Sequence, residues 1–550
     1  MSFKIQNKWI RVLLNLLVTL LVGVGAFYIL LPPLNPHSRD FYIFIGGLCI
    51  VYLLCSFVTS GLEPRSNVRD YFSSIFKKCK ITAILLAALA AVYIVGSVSS
   101  WEVLRAGAYR DLITVENGDF TQDVEEISFD QIPMLDKDSA EKLGDRKLGE
   151  LSDMVSQFEV GNDYSQINFN GRPVRVTPLV YGDVIKWFNN RSSGLPAYMI
   201  IDMATQSVDV VRLNEGIRYS PSEHFGRFLM RHLRFQYPTY MFSQPTFEID
   251  DDKNPYWVCP RIKKTIGLFG GTDIDGAVLV NAVTGESQYY EEVPTWVDRV
   301  YPADLIVQQY DYHGRFIKGF LNSVFGQKDV TTSTSGYNYI ALNDDVYMYT
   351  GVTSAGSDQS NVGFLLSNQR TKETKYYVVP GATEQSAMAS AEGVVQHLKY
   401  TATFPLLLNV ASEPTYFIPL KDNAQLVKMY AMVNVQQYQV VATGASVSEC
   451  EAQYTKLLAE NNITEEAVIP QSDVSGVISE IRSAVINGNT CYYIRVNDDP
   501  SYYMISAADS EAAVILNPGD RIDIKINETE KKADIIRATA IVKSKEAPLP

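Results

Sequence analysis

Apolar and polar positions divide this chain sharply near residue 100. Val12 to Leu31, Phe41 to Leu62 and Ile81 to Trp101 contain no Asp, Glu, Lys, Arg or His, and no comparable stretch follows them. Each is close to the ~20 residues that carry a helix across a bilayer core. The pattern therefore predicts three transmembrane helices ahead of one large polar-surfaced part. Flanking charge orients them. Lys4, Lys8 and Arg11 precede the first span, and Arg65, Arg69, Lys77, Lys78 and Lys80 lie between the second and third, whereas Arg39 is alone between the first and second. Basic residues stay cytoplasmic, which puts the N-terminus inside and everything after Trp101 outside. A cleaved signal peptide would have a shorter apolar core and a small-residue cleavage site. Spans without ionisable residues suit an anchor better than a carrier. Ala83, Ala87 and Ala91, with Gly96 beyond, offer a small-residue face for packing among the spans or for self-association through span three.

Past the spans the pattern turns to short strands that repeat. Pro173-Val-Arg-Val-Thr-Pro178, Pro255-Tyr-Trp-Val-Cys-Pro260 and Pro414-Thr-Tyr-Phe-Ile-Pro419 share one spacing, and Val346-Tyr-Met-Tyr-Thr350 is a version without prolines. The prolines are expected at strand ends or edges, where a missing N–H costs nothing. A second strand then leads into a polar turn: Asp202-Met-Ala-Thr205, Asn281-Ala-Val-Thr284, Asn368-Gln-Arg-Thr371 and, more loosely, Asn434-Val-Gln-Gln437. Asp or Asn opens such a turn by accepting from the backbone two residues on. Helices are predicted over Ser139 to Leu151 with Asp138 and Glu141 as a capping box, over Pro221 to Arg234, over Glu384 to Leu398 capped by Thr383, and over Val447 to Glu460 capped by Ser446 with Glu449. The repeating unit is one helix with an antiparallel sheet, an α+β module.

The tail reads differently. Strands follow one another over Val474 to Ile486, Thr490 to Val496, Tyr502 to Ala507, Ala513 to Leu516, Ile522 to Ile526 and Ile535 to Lys543, with Asn487-Gly488 a hairpin turn. Five or six such strands suggest a small OB-like β-barrel. Expected boundaries are a membrane domain at 1–108, modules at 109–240, 241–330, 331–380 (partial) and 381–465, and the barrel at 470–545.

A capped helix, a strand of the form Pro255-Tyr-Trp-Val and a strand ending Asn281-Ala-Val-Thr-Gly-Glu286 resemble the PepSY-type module, over 130–445 in diverged form. The other repeats depart from the Thr-Gly-Glu pattern. The resemblance implies an extracytoplasmic, tethered protein of the kind that restrains proteases or regulates the envelope, and it brings no catalytic residues. The layout is also similar to bacterial membrane-anchored envelope proteins.

Charge narrows the function. Beyond residue 100 there are 39 Lys and Arg against 59 Asp and Glu, a surface that repels nucleic acid. Cys259, Cys450 and Cys491 are the only cysteines beyond the spans, too few for a disulfide scaffold. His37, His224, His232, His313 and His397 are scattered, and the Asp250-Asp-Asp252 run meets Pro255 where a calcium loop needs glycine. No catalytic, cofactor or metal constellation is expected. The candidate binding residues are Asp273 and Asp275, in a glycine-rich stretch from Gly267 to Gly276, with Ser354 and Asp358 in the stretch from Gly351 to Gly363 that aligns with it. Tyrosine pairs such as Tyr289-Tyr290 and Tyr376-Tyr377 read as strand residues. The expected function is a non-enzymatic, membrane-anchored binding or scaffold protein with protein partners. The alternatives are a tethered hydrolase or protease, and a structural subunit of an envelope, secretion or virion complex.

Overall fold

A computed structural model describes residues 7–59, 79–124, 132–342, 344–354, 360–464, 471–486, 489–497, 499–507, 510–527 and 535–543. The chain separates into two compact units, Met1–Leu457 and Leu458–Pro550. Three helices, Lys8–Leu30, Arg39–Thr59 and Lys80–Ser99, are long and apolar enough to cross a membrane. Of the basic residues expected to orient them, Lys4, Arg65, Arg69, Lys77 and Lys78 lie outside the described residues. Asn15 is buried in span one and accepts the Thr59 hydroxyl of span two at 3.1 Å, so two polar groups satisfy each other. The alanine face of span three does not pack against the other two spans. Ala87 and Ala91 are exposed, and only Gly96 is buried, against Leu268 of the body rather than against another span.

Four sheets follow, and they share one plan. In each, a long central strand pairs on one side with two short strands in succession and on the other with a long partner, which then pairs with a last strand. The central strands are Arg172–Tyr181, Pro255–Ile266, Asp345–Ser354 and Glu413–Lys421. Pro173, Pro255 and Pro414 lie within the first two residues of the central strands, at strand ends as expected, whereas Pro178, Pro260 and Pro419 sit inside them. The pairing explains why this is tolerated. Pro178, Pro260 and Pro419 fall in the gap where the central strand passes from one short partner to the other, so no ladder N–H is missing. Gly351 takes the same place in the third sheet. The carbonyl at this position accepts an N–H in all four sheets, from Gly161, Ser243, Thr334 and Thr403.

The polar turns repeat just as closely. Asp202, Asn281, Asn368 and Asn434 each accept, through Oδ1, the N–H groups two and three residues on, at 2.7–3.1 Å. The residue after each, Met203, Ala282, Gln369 or Val435, donates to the carbonyl of Pro173, Pro255, Val346 or Pro414, and its own carbonyl accepts from the segment leading into that module. One helix precedes each sheet: Lys137–Gly149, Leu229–Gln236, Ala303–Arg315 and Glu384–Val394. The cap of the first is Asp136, which accepts from the Ser139 N–H at 2.9 Å, and not the expected Asp138. The third helix opens on Pro302 with no side-chain cap. The third sheet also takes Glu116–Gly118, from just after the spans, as a parallel strand beside Thr374–Tyr377. The first two modules share one core, in which Tyr198 meets Phe247 at 5.7 Å between ring centroids and Phe247 meets Trp257 at 5.3 Å. A trailing helix, Val447–Glu460, lays Cys450 and Tyr454 on the fourth sheet, where the Tyr454 and Thr415 hydroxyls bond at 2.9 Å.

In the second unit, strands Gln471–Ile486, Asn489–Val496, Tyr502–Ser506, Ile535–Lys543 and Arg521–Asn527 pair in that order, and the last returns to the first. Ile478, Ile494, Ile505, Ile522, Ile524 and Ile541 fill the interior. The strand expected near Ala513 is instead a 3-10 turn, Glu511–Ile515. The expected hairpin turn at Asn487-Gly488 lies outside the described residues. All six cysteines are free.

Candidate functional site

Of the predicted binding residues, Asp273, Asp275 and Ser354 are described. Asp273 and Asp275 belong to a strand, Gly270–Asn281, not to a long loop. Asp273 is already engaged: it receives Lys372 Nζ at 2.7 Å and Gln309 Nε2 at 3.2 Å, which ties the second module to the third. Asp275 lies 3.7 Å from Arg261. Ser354 ends the central strand of the third module, opposite Thr331. Asp358 lies outside the described residues. The sequence signal that suggested a loop, a run of glycines, reflects a hairpin tip and a bulge. Gly267 and Gly276 both need positive φ, and a side chain on Gly276 would meet the Tyr290 carbonyl oxygen at 2.1 Å.

That hairpin tip has another role. Gly267, Leu268 and Phe269 dock on the ends of spans two and three. Phe269 N–H donates to Ser100 Oγ at 2.9 Å, its ring lies 5.5 Å from Tyr42 and 5.3 Å from Tyr93, and the Leu268 carbonyl contacts His37 Nδ1 at 2.9 Å. Span one is held by the helix Leu229–Gln236. Buried Arg234 donates from Nε to the Leu31 carbonyl at 2.9 Å, and Arg231 Nε donates to the Tyr28 carbonyl at 3.0 Å. Burial lowers the Arg234 guanidinium to about 10, so it stays charged at neutral pH and neutralises the free carbonyls at a helix C-terminus.

A cavity of about 800 Å³ opens where the first three modules meet, with Phe404 of the fourth also on its wall. Asp163, Arg175, Arg299, Tyr337 and Tyr339 line it. Arg299 lies 5.2 Å over the Tyr339 ring. Burial raises the Asp163 carboxyl, opposed by Lys137 and Arg299. Arg175 is buried and donates to the Tyr164 carbonyl and to Gln166. Beside Arg299 and Thr246, two further acids are fully buried. Glu248 accepts the N–H groups of Asp298 at 2.9 Å and Arg299 at 3.2 Å, and burial pushes it up to about 7. Asp298 is raised by burial and by the charge on Glu248. Its Oδ2 accepts the Asn168 N–H at 2.7 Å while its Oδ1 has no partner among the described residues. Asn168, Glu248 and Asp298 thus join the first two modules and the segment leading into the third through one polar cluster. This constellation is invisible in sequence, because its members come from separate repeats.

The histidines sit apart. His232 Nε2 contacts the Gly285 carbonyl at 2.7 Å, His313 Nδ1 the Arg110 carbonyl at 3.1 Å, and the His224 ring packs 4.6 Å from Trp187. No family model matches the sequence. No curated protein matches it either.

Proposed function

We propose that the chain is a membrane-anchored, extracytoplasmic binding or scaffold protein of a bacterial-type envelope, presenting PepSY-like modules to protein partners, with an OB-like barrel as its terminal unit. The observation that carries this reading is the inter-module cleft, in a body bonded directly to the ends of all three apolar helices. Clefts between domains lined by aromatic groups and a few polar ones are common binding places. The placement outside the cytoplasm rests on the basic residues before span one and between spans two and three. The strand order of the second unit, with a parallel closing pair and a helical turn after the third strand, supports the OB-like reading. The exposed alanines of span three leave room for self-association in the bilayer.

The test places a photo-reactive residue at Asp304 on the cleft rim and, separately, at exposed Asp209, in cells expressing the full chain. A protein captured from Asp304 and not from Asp209 is the expected result. Capture of nothing but lipid, or equal capture from both, contradicts the proposal.

A further inference from the structure

The first module carries an exposed apolar shelf that begins at the end of span one. Its connection between the central strand and the next holds a short helix, Val184–Asn190, whose Val184, Ile185 and Phe188 are each more than half exposed. Trp187, on the other face, is buried and donates to Glu223 at 2.8 Å, while Tyr181 donates to the same carboxylate at 2.6 Å. The helix is therefore held rigidly with its apolar face outward. Phe225 lies beside it, 5.9 Å from Trp187, and is 65% exposed. Its φ of 50° is a conformation that bulky residues avoid. Among the described residues the ring meets Trp187 and is otherwise largely open.

The shelf is continuous with the membrane span. Arg231 donates to the Phe225 carbonyl at 2.6 Å and lies 4.1 Å over the ring of Tyr28, in the last turn of span one. Phe235, also exposed, packs 5.7 Å from Phe27 and 6.3 Å from Tyr28. Three arginines edge this surface. Arg191 sits 3.7 Å over the Phe188 ring, and Arg227 donates to the Arg191 carbonyl at 2.5 Å. Among the described residues, none of Arg191, Arg227 and Arg231 has a carboxylate within salt-bridge distance; Lys186 nearby is matched by Asp183 at 3.4 Å. Unpaired guanidinium groups around aromatic and aliphatic side chains, at the depth where a span leaves the bilayer, are the chemistry of a headgroup contact.

We infer that Val184, Ile185, Phe188 and Phe225 rest in the interfacial layer of the bilayer beside span one, with Arg191, Arg227 and Arg231 taking the phosphates of anionic phospholipids. The body then lies against the lipid instead of standing off on its three helices. This goes beyond the proposed binding role and holds whatever partner the cleft accepts.

The test uses the full chain in nanodiscs of zwitterionic lipid with and without phosphatidylglycerol. Spin labels are placed singly by Ile185→Cys and Phe225→Cys, with Asp209→Cys as the exposed control. Labels at 185 and 225 should collide freely with oxygen and poorly with a water-soluble nickel complex, and the control should show the reverse. Arg191→Gln and Arg227→Gln should each lower the preference for phosphatidylglycerol over the neutral lipid by about fivefold. Nickel access at 185 matching that at 209 would overturn the lipid contact. Shielding from both reagents would mean protein cover and would overturn it too. An unchanged lipid preference in both arginine variants would overturn the headgroup assignment. Ile185 is 74% exposed, so its label remains informative if Phe225→Cys misfolds.

Discussion

The second and fourth modules share a strand plan down to the handover at Pro260 and Pro419, yet they touch different things. In the second, the two longest strands run on to Ile266 and from Gly270, and their tip meets the spans. In the fourth, the corresponding strands stop at Lys421 and resume at Val427. The turn between them is closed by Asp422, which accepts from Ala424 and Leu426, and its Gln425 carbonyl meets Ser139 on the helix of the first module. In the first module the same connection holds the exposed helix Val184–Asn190. A repeated core thus sets where each strand pair points, and the length and chemistry of one connection decide what the module contacts.

The largest expected effect comes from the tip of the longer hairpin. Phe269→Ala removes a buried ring wedged between Tyr42 and Tyr93 and should cost about 3–5 kcal/mol. A lowered unfolding midpoint, with new protease cleavage near Ser100, would show it. The matching change beside the shorter hairpin is Asp136→Asn. Asn still caps the helix, but Lys421, whose side chain is only 6% exposed, loses its partner at 2.5 Å and keeps only Asp138, 3.9 Å away. Losing a charge-assisted bond to a buried ammonium should cost about 2 kcal/mol, while the docking of the hairpin tip on the spans is untouched. Burial works to raise Asp136, but Lys421 and Ser139 hold it below its ordinary value. Its contribution is therefore present above the usual carboxylate range and lost as pH falls below it, and Asp136→Asn should remove that acid sensitivity.

Glycines sharpen the comparison at smaller scale. Gly267 and Gly171 both sit at positive φ in strand-to-strand turns. A side chain on Gly171 meets open space, so Gly171→Ala should cost about 1 kcal/mol from the backbone alone. On Gly267 it would lie 2.7 Å from the Ser99 backbone, so Gly267→Ala should cost more, about 2 kcal/mol, and loosen the span contact. Paired melting curves would separate the two. The buried pair gives the gentlest signal. Glu248 is raised in the folded protein from 4.5 to about 7. The folded state then holds more protons than the unfolded one across that range, so stability is greatest below about 4.5 and falls as pH rises to about 7. Glu248→Gln should flatten this slope and, by losing one acceptor, lower the midpoint at pH 5.

Much of this was legible because it is local. Span composition and the Asx turns at Asp202, Asn281 and Asn368 announce themselves in short windows. The helix Ala303–Arg315 does not, since it has neither a capping side chain nor strong helix formers at its Tyr- and Val-containing positions. Pro178, Pro260 and Pro419 were misplaced because sequence cannot show a strand changing partners midway. Asp273 and Asp275 were read as loop residues because glycine marks a bulge and a loop alike. The cleft and the Glu248–Asp298 pair arise only where separate modules meet.

The claim on which the account turns is that the second module's hairpin tip is clasped by the spans. Hydrogen exchange of the full chain in nanodiscs tests it at the Phe269 amide, which donates to Ser100 Oγ. That amide should exchange as slowly as the ladder between Val258 and Leu279, and Gly267→Ala should speed it selectively. Exchange at Phe269 as fast as in the exposed turn at Asp251 would contradict the account.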